Sequence, residues 1–135
     1  MAASKILKMA QKSALLQREV LEELESLVKS IDRSEKMITE LKSEMEEVNA
    51  KHQKRKTTRD DIAYLEDLLT CAKKKLTWEK LLESLQKRTP AVLQKVSQVI
   101  NDPQNPPPEQ IRASILQSLH GVQAAMERLE QAKIS

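Results

Sequence analysis

The chain has 135 residues, 32% of them charged, with a formal net charge of +3 at pH 7, one Gly, one Trp, one Tyr and no Phe. Without large aromatic volumes, or the Gly-rich turns and aromatic strands of a sheet, the composition disfavours a β domain and points to long helices packed through Leu, Ile, Val, Met and Ala. Cys71 stands alone, and with only His52 and His120 beside it there is neither an intramolecular disulfide nor a cluster at metal-ligand spacing.

No glycine-rich phosphate loop, nucleophile elbow, paired-histidine motif or Cys-x-x-Cys occurs, so no enzyme activity, cofactor or small-molecule substrate is expected. Lys73, Lys74 and Lys75 could activate Cys71 in principle, but a low-pKa thiolate needs a specific microenvironment, and the plainer reading is a cysteine on a helix face. The opening MAASKILKMAQKS has no apolar stretch of signal-peptide length, and no segment nears the roughly eighteen apolar residues of a membrane span. A cytoplasmic or nuclear protein without membrane contact is the expectation.

The first element is a helix over residues 1–56. Leu24, Leu27, Ile31, Ile38, Leu41, Met45 and Val48 alternate in steps of three and four once Ser34 takes the empty slot, the pattern of a coiled-coil seam. Upstream, Leu16, Val20 and Leu24 step by four and four, which places a register slip near residue 20, with Ile6, Met9 and Ser13 carrying the frame before it. Such a stripe fits either a partner helix or a helix of the same chain.

Lys51, Lys54, Arg55, Lys56 and Arg59 follow in a run that lacks an aliphatic core residue. Dense positive charge attracts polyanions such as nucleic acid or an acidic tubulin tail, although no aromatic residue is interleaved for base stacking and a solvated helix face reads the same way. Thr57 with Asp60, or Thr58 with Asp61, has capping-box spacing and marks a helix start. With neither Gly nor Pro to make a turn, the sequence leans to a continuous or kinked helix to Arg88, about 85 residues and roughly 130 Å, over a helical hairpin.

Residues 57–88 carry Ile62, Leu65, Leu68, Leu69, Ala72, Leu76, Trp78, Leu81, Leu82 and Leu85, a face wide enough to pack against two helices, with Trp78 as its bulkiest anchor. Thr89-Pro90 predicts a break, Thr89 serving as N-cap to a short helix from Pro90 to about Asn101. The Pro-rich stretch 101–108 is an extended connector within 89–135, and a last amphipathic helix from about Pro108 to Gln131 carries Ile111, Ile115, Leu119, Val122, Met126 and Leu129. Gly121 inside it predicts a close helix crossing.

The expectation is an all-α protein, an elongated N-terminal coiled coil followed by a small C-terminal helical bundle. In that style it looks like the small subunits of kinetochore, spindle, centrosome and vesicle-tethering complexes, a likeness of architecture alone. The functional expectation is a non-enzymatic scaffold or adaptor of cytoskeletal or cell-division type. It would pair through Leu24 to Val48 with another coiled-coil protein or itself, and dock a second helix around Trp78, Leu82, Ile115 and Leu119. Polyanion binding through Lys51, Lys54, Arg55, Lys56 and Arg59, to nucleic acid or microtubules, and a self-assembling rod are the alternatives.

Overall fold

The computed structural model describes residues 2–134, and within them the chain forms three helices and no strand: α1 (Ala2–Lys51), α2 (Thr58–Ile100) and α3 (Glu109–Ile134). None of these helices is long and apolar enough to cross a membrane. The longest, α1, has 50 residues and spans about 75 Å at 1.5 Å per residue.

α1 is the spine. Its stripe Val20, Leu24, Leu27 and Ile31 is wholly buried, and Ser34, Ile38 and Leu41 continue it. α2 runs antiparallel to α1, as the pairs Lys74–Glu44 at 2.7 Å and Lys95–Glu23 at 2.9 Å show. α3 runs parallel to α1: Gly121 lies beside Val28, Arg128 meets Asp32 at 3.0 Å, and Lys42 donates to the Ala132 carbonyl. α1 packs closely against both other helices, which scarcely touch each other.

This arrangement corrects the two-part division into a coiled coil and a separate bundle, because the seam of α1 is itself the core of the bundle. It also corrects the slip near residue 20. Gln17 and Val20 are buried while Leu16 turns outward, so the three-four alternation continues unbroken down to Gln17.

The chain reverses between Lys51 and Thr58 without a glycine and without a positive φ, so the continuous helix is replaced by a hairpin. Side chains build this turn. Thr57 is the N-cap of α2 in a reciprocal capping box: its hydroxyl accepts from the Asp60 N–H at 3.1 Å, and the Asp60 carboxylate accepts from the Thr57 N–H. On the α1 side, the Arg55 guanidinium donates to the His52 carbonyl at 2.9 Å, meeting an acceptor the ended helix would leave open.

A further correction lies at Thr89-Pro90, where α2 continues with no break. Thr89 is no N-cap, since its hydroxyl donates back to the Leu85 carbonyl at 2.7 Å. An interior proline removes one helical hydrogen bond and costs about 3 kcal/mol. Against that stands a seven-residue repeat, Cys71, Trp78, Leu85, Val92 and Val99, buried throughout, with Val96 beside it. Each such aliphatic side chain gains roughly 1.5–3 kcal/mol on full burial, and only an unbroken helix keeps Val92, Val96 and Val99 in phase with Leu85.

Trp78 closes the middle of the core. Its indole N–H donates to the Ser34 carbonyl at 3.0 Å, and the small buried Ser34 leaves room in the seam for the ring. The connector 101–108 turns on Asp102, whose carboxylate accepts from the N–H groups of Gln104 and Asn105 at 3.0 and 3.2 Å. Pro107 is buried there, and α3 begins where Arg112 donates to the Pro108 carbonyl at 2.9 Å.

Gly121 faces α1, but a Cβ built on it would meet the Val28 side chain at 3.7 Å, ordinary van der Waals contact, so close approach does not require the glycine. Gly121→Ala is therefore expected to stabilise the protein by about 1 kcal/mol, read as a higher urea midpoint with unchanged slope; a lower midpoint would show that the crossing is tighter than this.

Candidate functional site

The predicted interface residues separate into two groups. Leu24, Leu27, Ile31, Ile38, Leu41, Trp78 and Ile115 are buried in the chain's own core, so in this conformation the seam is occupied by α2 and α3 and is closed to an outside helix. Leu82 and Leu119 are half-buried, and Val48 likewise. Met45 is 40% exposed, because Lys42 already stands at the level of Ala132 and α3 reaches little farther along α1.

Among the described residues, three surfaces carry much of the apolar area that faces solvent. The first is a groove of about 310 Å³ between α2 and α3, lined by Leu82, Leu85, Pro90, Leu93, Met126 and Leu129, with Glu130 and Lys133 at its edge. It exists because the outer helices both lean on α1 and leave a gap between them. Lys133 and Glu130 pair at 2.8 Å and neutralise the rim.

The second is the N-terminal stretch of α1. Burial begins at Gln17, and from Ala3 to Leu16 every side chain is exposed except the half-buried Ser13. Ile6, Leu7, Met9, Leu15 and Leu16 thus stand in solvent on a helix extension some 20 Å long. The third comprises Met45 with Ile62, Leu65, Leu69 and Leu76, exposed along the two-helix part of the hairpin. Of these surfaces, sequence reading placed only Leu82 and Met45 among the interface residues.

The basic run sits at the tip of the hairpin, where two of its five cations are engaged. Arg55 lies 3.9 Å over the Tyr64 ring and 3.4 Å from Asp61, and Lys51 lies 3.8 Å from Asp67. Lys54, Lys56 and Arg59 are exposed, and among the described residues their side chains form no ion pair. Behind them, His52 is 9% exposed and its Nε2 lies 2.7 Å from the Asp67 carboxylate, while the Tyr64 hydroxyl donates to Asn49 at 2.9 Å. His52 and Asp67 are fifteen residues apart in the chain, so nothing local announced this contact.

No family model, curated protein or solved structure matches the chain. Among the described residues, no group of three His, Cys, Asp or Glu side chains is arranged to hold a metal ion. Cys71 is buried on the face of α2 that meets α1.

Two carboxyls of the hairpin are held below their ordinary range by the contacts that build it. The hydrogen bond from His52 holds the Asp67 carboxyl below its ordinary range, with the Lys51 charge helping and desolvation opposing. The backbone N–H of Lys56 and the Thr57 hydroxyl hold the Asp60 carboxyl down in the same sense. Carboxylates depressed in the folded state contribute stability that is fully present above the unfolded carboxylate range, about pH 4, and is lost as pH falls through their lowered values. The urea midpoint, followed by Trp78 fluorescence, should fall in that acid window, and the paired substitution Asp60→Asn with Asp67→Asn should flatten the fall; an unchanged slope would count against the two contacts.

Proposed function

We propose that the protein is a non-enzymatic helix-binding scaffold or adaptor, which receives an amphipathic helix of another protein in the groove between α2 and α3. The observation that carries this reading is the groove itself: Leu82, Pro90, Leu93, Met126 and Leu129 line a largely apolar trough between α2 and α3. A fourth helix laid there would convert three helices into a four-helix bundle and cover apolar surface now in water. Membership in a larger assembly, of the kinetochore, spindle or centrosome kind that the architecture resembles, belongs to the same proposal.

Leu93 is 42% exposed and anchors one wall, so Leu93→Asp should leave the fold and its thermal midpoint nearly unchanged. The tagged wild-type chain should retain a stoichiometric helical protein at moderate and at high salt, and Leu93→Asp should weaken that retention by on the order of tenfold or more. Equal retention by both proteins would remove the groove from the account.

A second reading, polyanion contact at the hairpin tip, has in its favour the exposed Lys54, Lys56 and Arg59, whose side chains form no ion pair among the described residues. Reversing these three charges to Glu should abolish binding to duplex DNA or to tubulin tails if such contact exists, and wild-type binding should weaken steeply with salt. Binding that ignores both salt and charge reversal would dispose of it.

A further inference from the structure

The exposed N-terminal stretch of α1 carries a stripe that the groove does not explain. Lys5, Lys8, Lys12, Leu15, Glu19 and Glu22 follow one another at intervals of three, four, three, four and three, which sets them on one side of the helix. All six are exposed, and none belongs to an ion pair among the described residues. The stripe is polar in charge as well as in position: every ionisable side chain before Glu19 is basic, and the two carboxylates follow Leu15.

Such a stripe is complementary to itself when turned end for end. With a second copy of α1 laid antiparallel and the two helices crossing at Leu15, Lys8 of each copy falls opposite Glu22 of the other, and Lys12 opposite Glu19. Leu15 meets Leu15 on the two-fold axis. Each ion pair then occurs twice and the Leu15 contact once on the axis, as an isologous interface requires.

Other alignments are opposed by the same charges. A parallel pair sets Lys8 against Lys8 and Glu22 against Glu22. An antiparallel pair that overlaps only the extensions gathers Lys5, Lys8 and Lys12 of both copies with no carboxylate among them. Like charges at such spacing repel, whereas the register through Leu15 sets Lys8, Lys12, Glu19 and Glu22 each beside an opposite charge.

We propose that this stripe is a self-recognition surface, through which two copies of the chain associate as an antiparallel α1–α1 dimer centred on Leu15. Surface ion pairs are individually weak, so the charges choose direction and register while Leu15 and neighbouring exposed apolar side chains of the extension, such as Leu16, supply the burial. The partner's bundle contributes the acidic half of each site, because Glu19 and Glu22 lie where α1 already packs against its own α2, beside Ser26 and Arg88. The extension thus lies along the outer side of a second bundle, away from the groove between α2 and α3, and the dimer is independent of a helix bound in that groove.

The test is the mass of the full-length chain by sedimentation equilibrium at low salt. Wild type should be dimeric and should shift toward monomer as salt rises. Leu15→Asp, at a side chain 61% exposed, should be monomeric with unchanged helicity and Trp78 fluorescence. Lys8→Glu with Lys12→Glu, and separately Glu19→Lys with Glu22→Lys, should each be monomeric alone and form a one-to-one dimer when mixed. A wild-type chain that stays monomeric at the highest soluble concentration overturns the proposal, as does a dimer that survives Leu15→Asp or either charge reversal. Leu93→Asp should leave the dimer intact, so failure here and failure of the groove are read separately.

Discussion

Everything in this fold hangs on the burial of one stripe of α1. Val20, Leu24, Leu27 and Ile31 are removed from solvent entirely, and two helices are needed to cover them, α2 from one side and α3 from the other. Since both outer helices are organised around that stripe, they have little to say to each other. The groove between them is the geometrical remainder of that choice.

The lengths of the helices set the rest. α3 has 26 residues against 50 in α1, and the connector starts it near the level of Gln17, so it ends near Lys42. Beyond that point the hairpin is only two helices thick, which leaves Met45, Leu65 and Leu69 exposed. At the other end α2 and α3 begin and finish together around residues 17 to 20 of α1, and the first turns of α1 extend past them. Apolar surface in water is therefore found mainly where helices run out of partners.

The hairpin tip shows how a structural role can consume residues with a functional look. A turn without glycine needs its exposed carbonyls and charges met by side chains, and Arg55 and Lys51 meet them through His52, Asp61, Asp67 and the Tyr64 ring. Of the run of five cations in sequence, Lys54, Lys56 and Arg59 are left without an ion pair among the described residues. Elsewhere on the bundle, ion pairs link the helices at the surface: the Glu44 contact holds the Lys74 ammonium above its ordinary value, and the Asp32 contact does the same for Arg128.

The all-helical class, the α1 seam from Leu24 to Leu41 and the buried face of α3 were legible in the sequence, because helical periodicity and aliphatic composition are local properties and require no knowledge of the partner. The seven-residue repeat from Cys71 to Val99 is a local pattern as well, and its burial against α1 offsets the single hydrogen bond lost at Pro90. Whether the seam faced another chain or its own, and whether residues 52–57 bent, lay outside that reach. Both turn on contacts such as Trp78 with Ser34 and His52 with Asp67, between residues far apart in sequence. Periodicity tells which side of a helix is buried; only the packed structure decides against what, since an apolar stripe gains the same free energy from any surface that removes it from water.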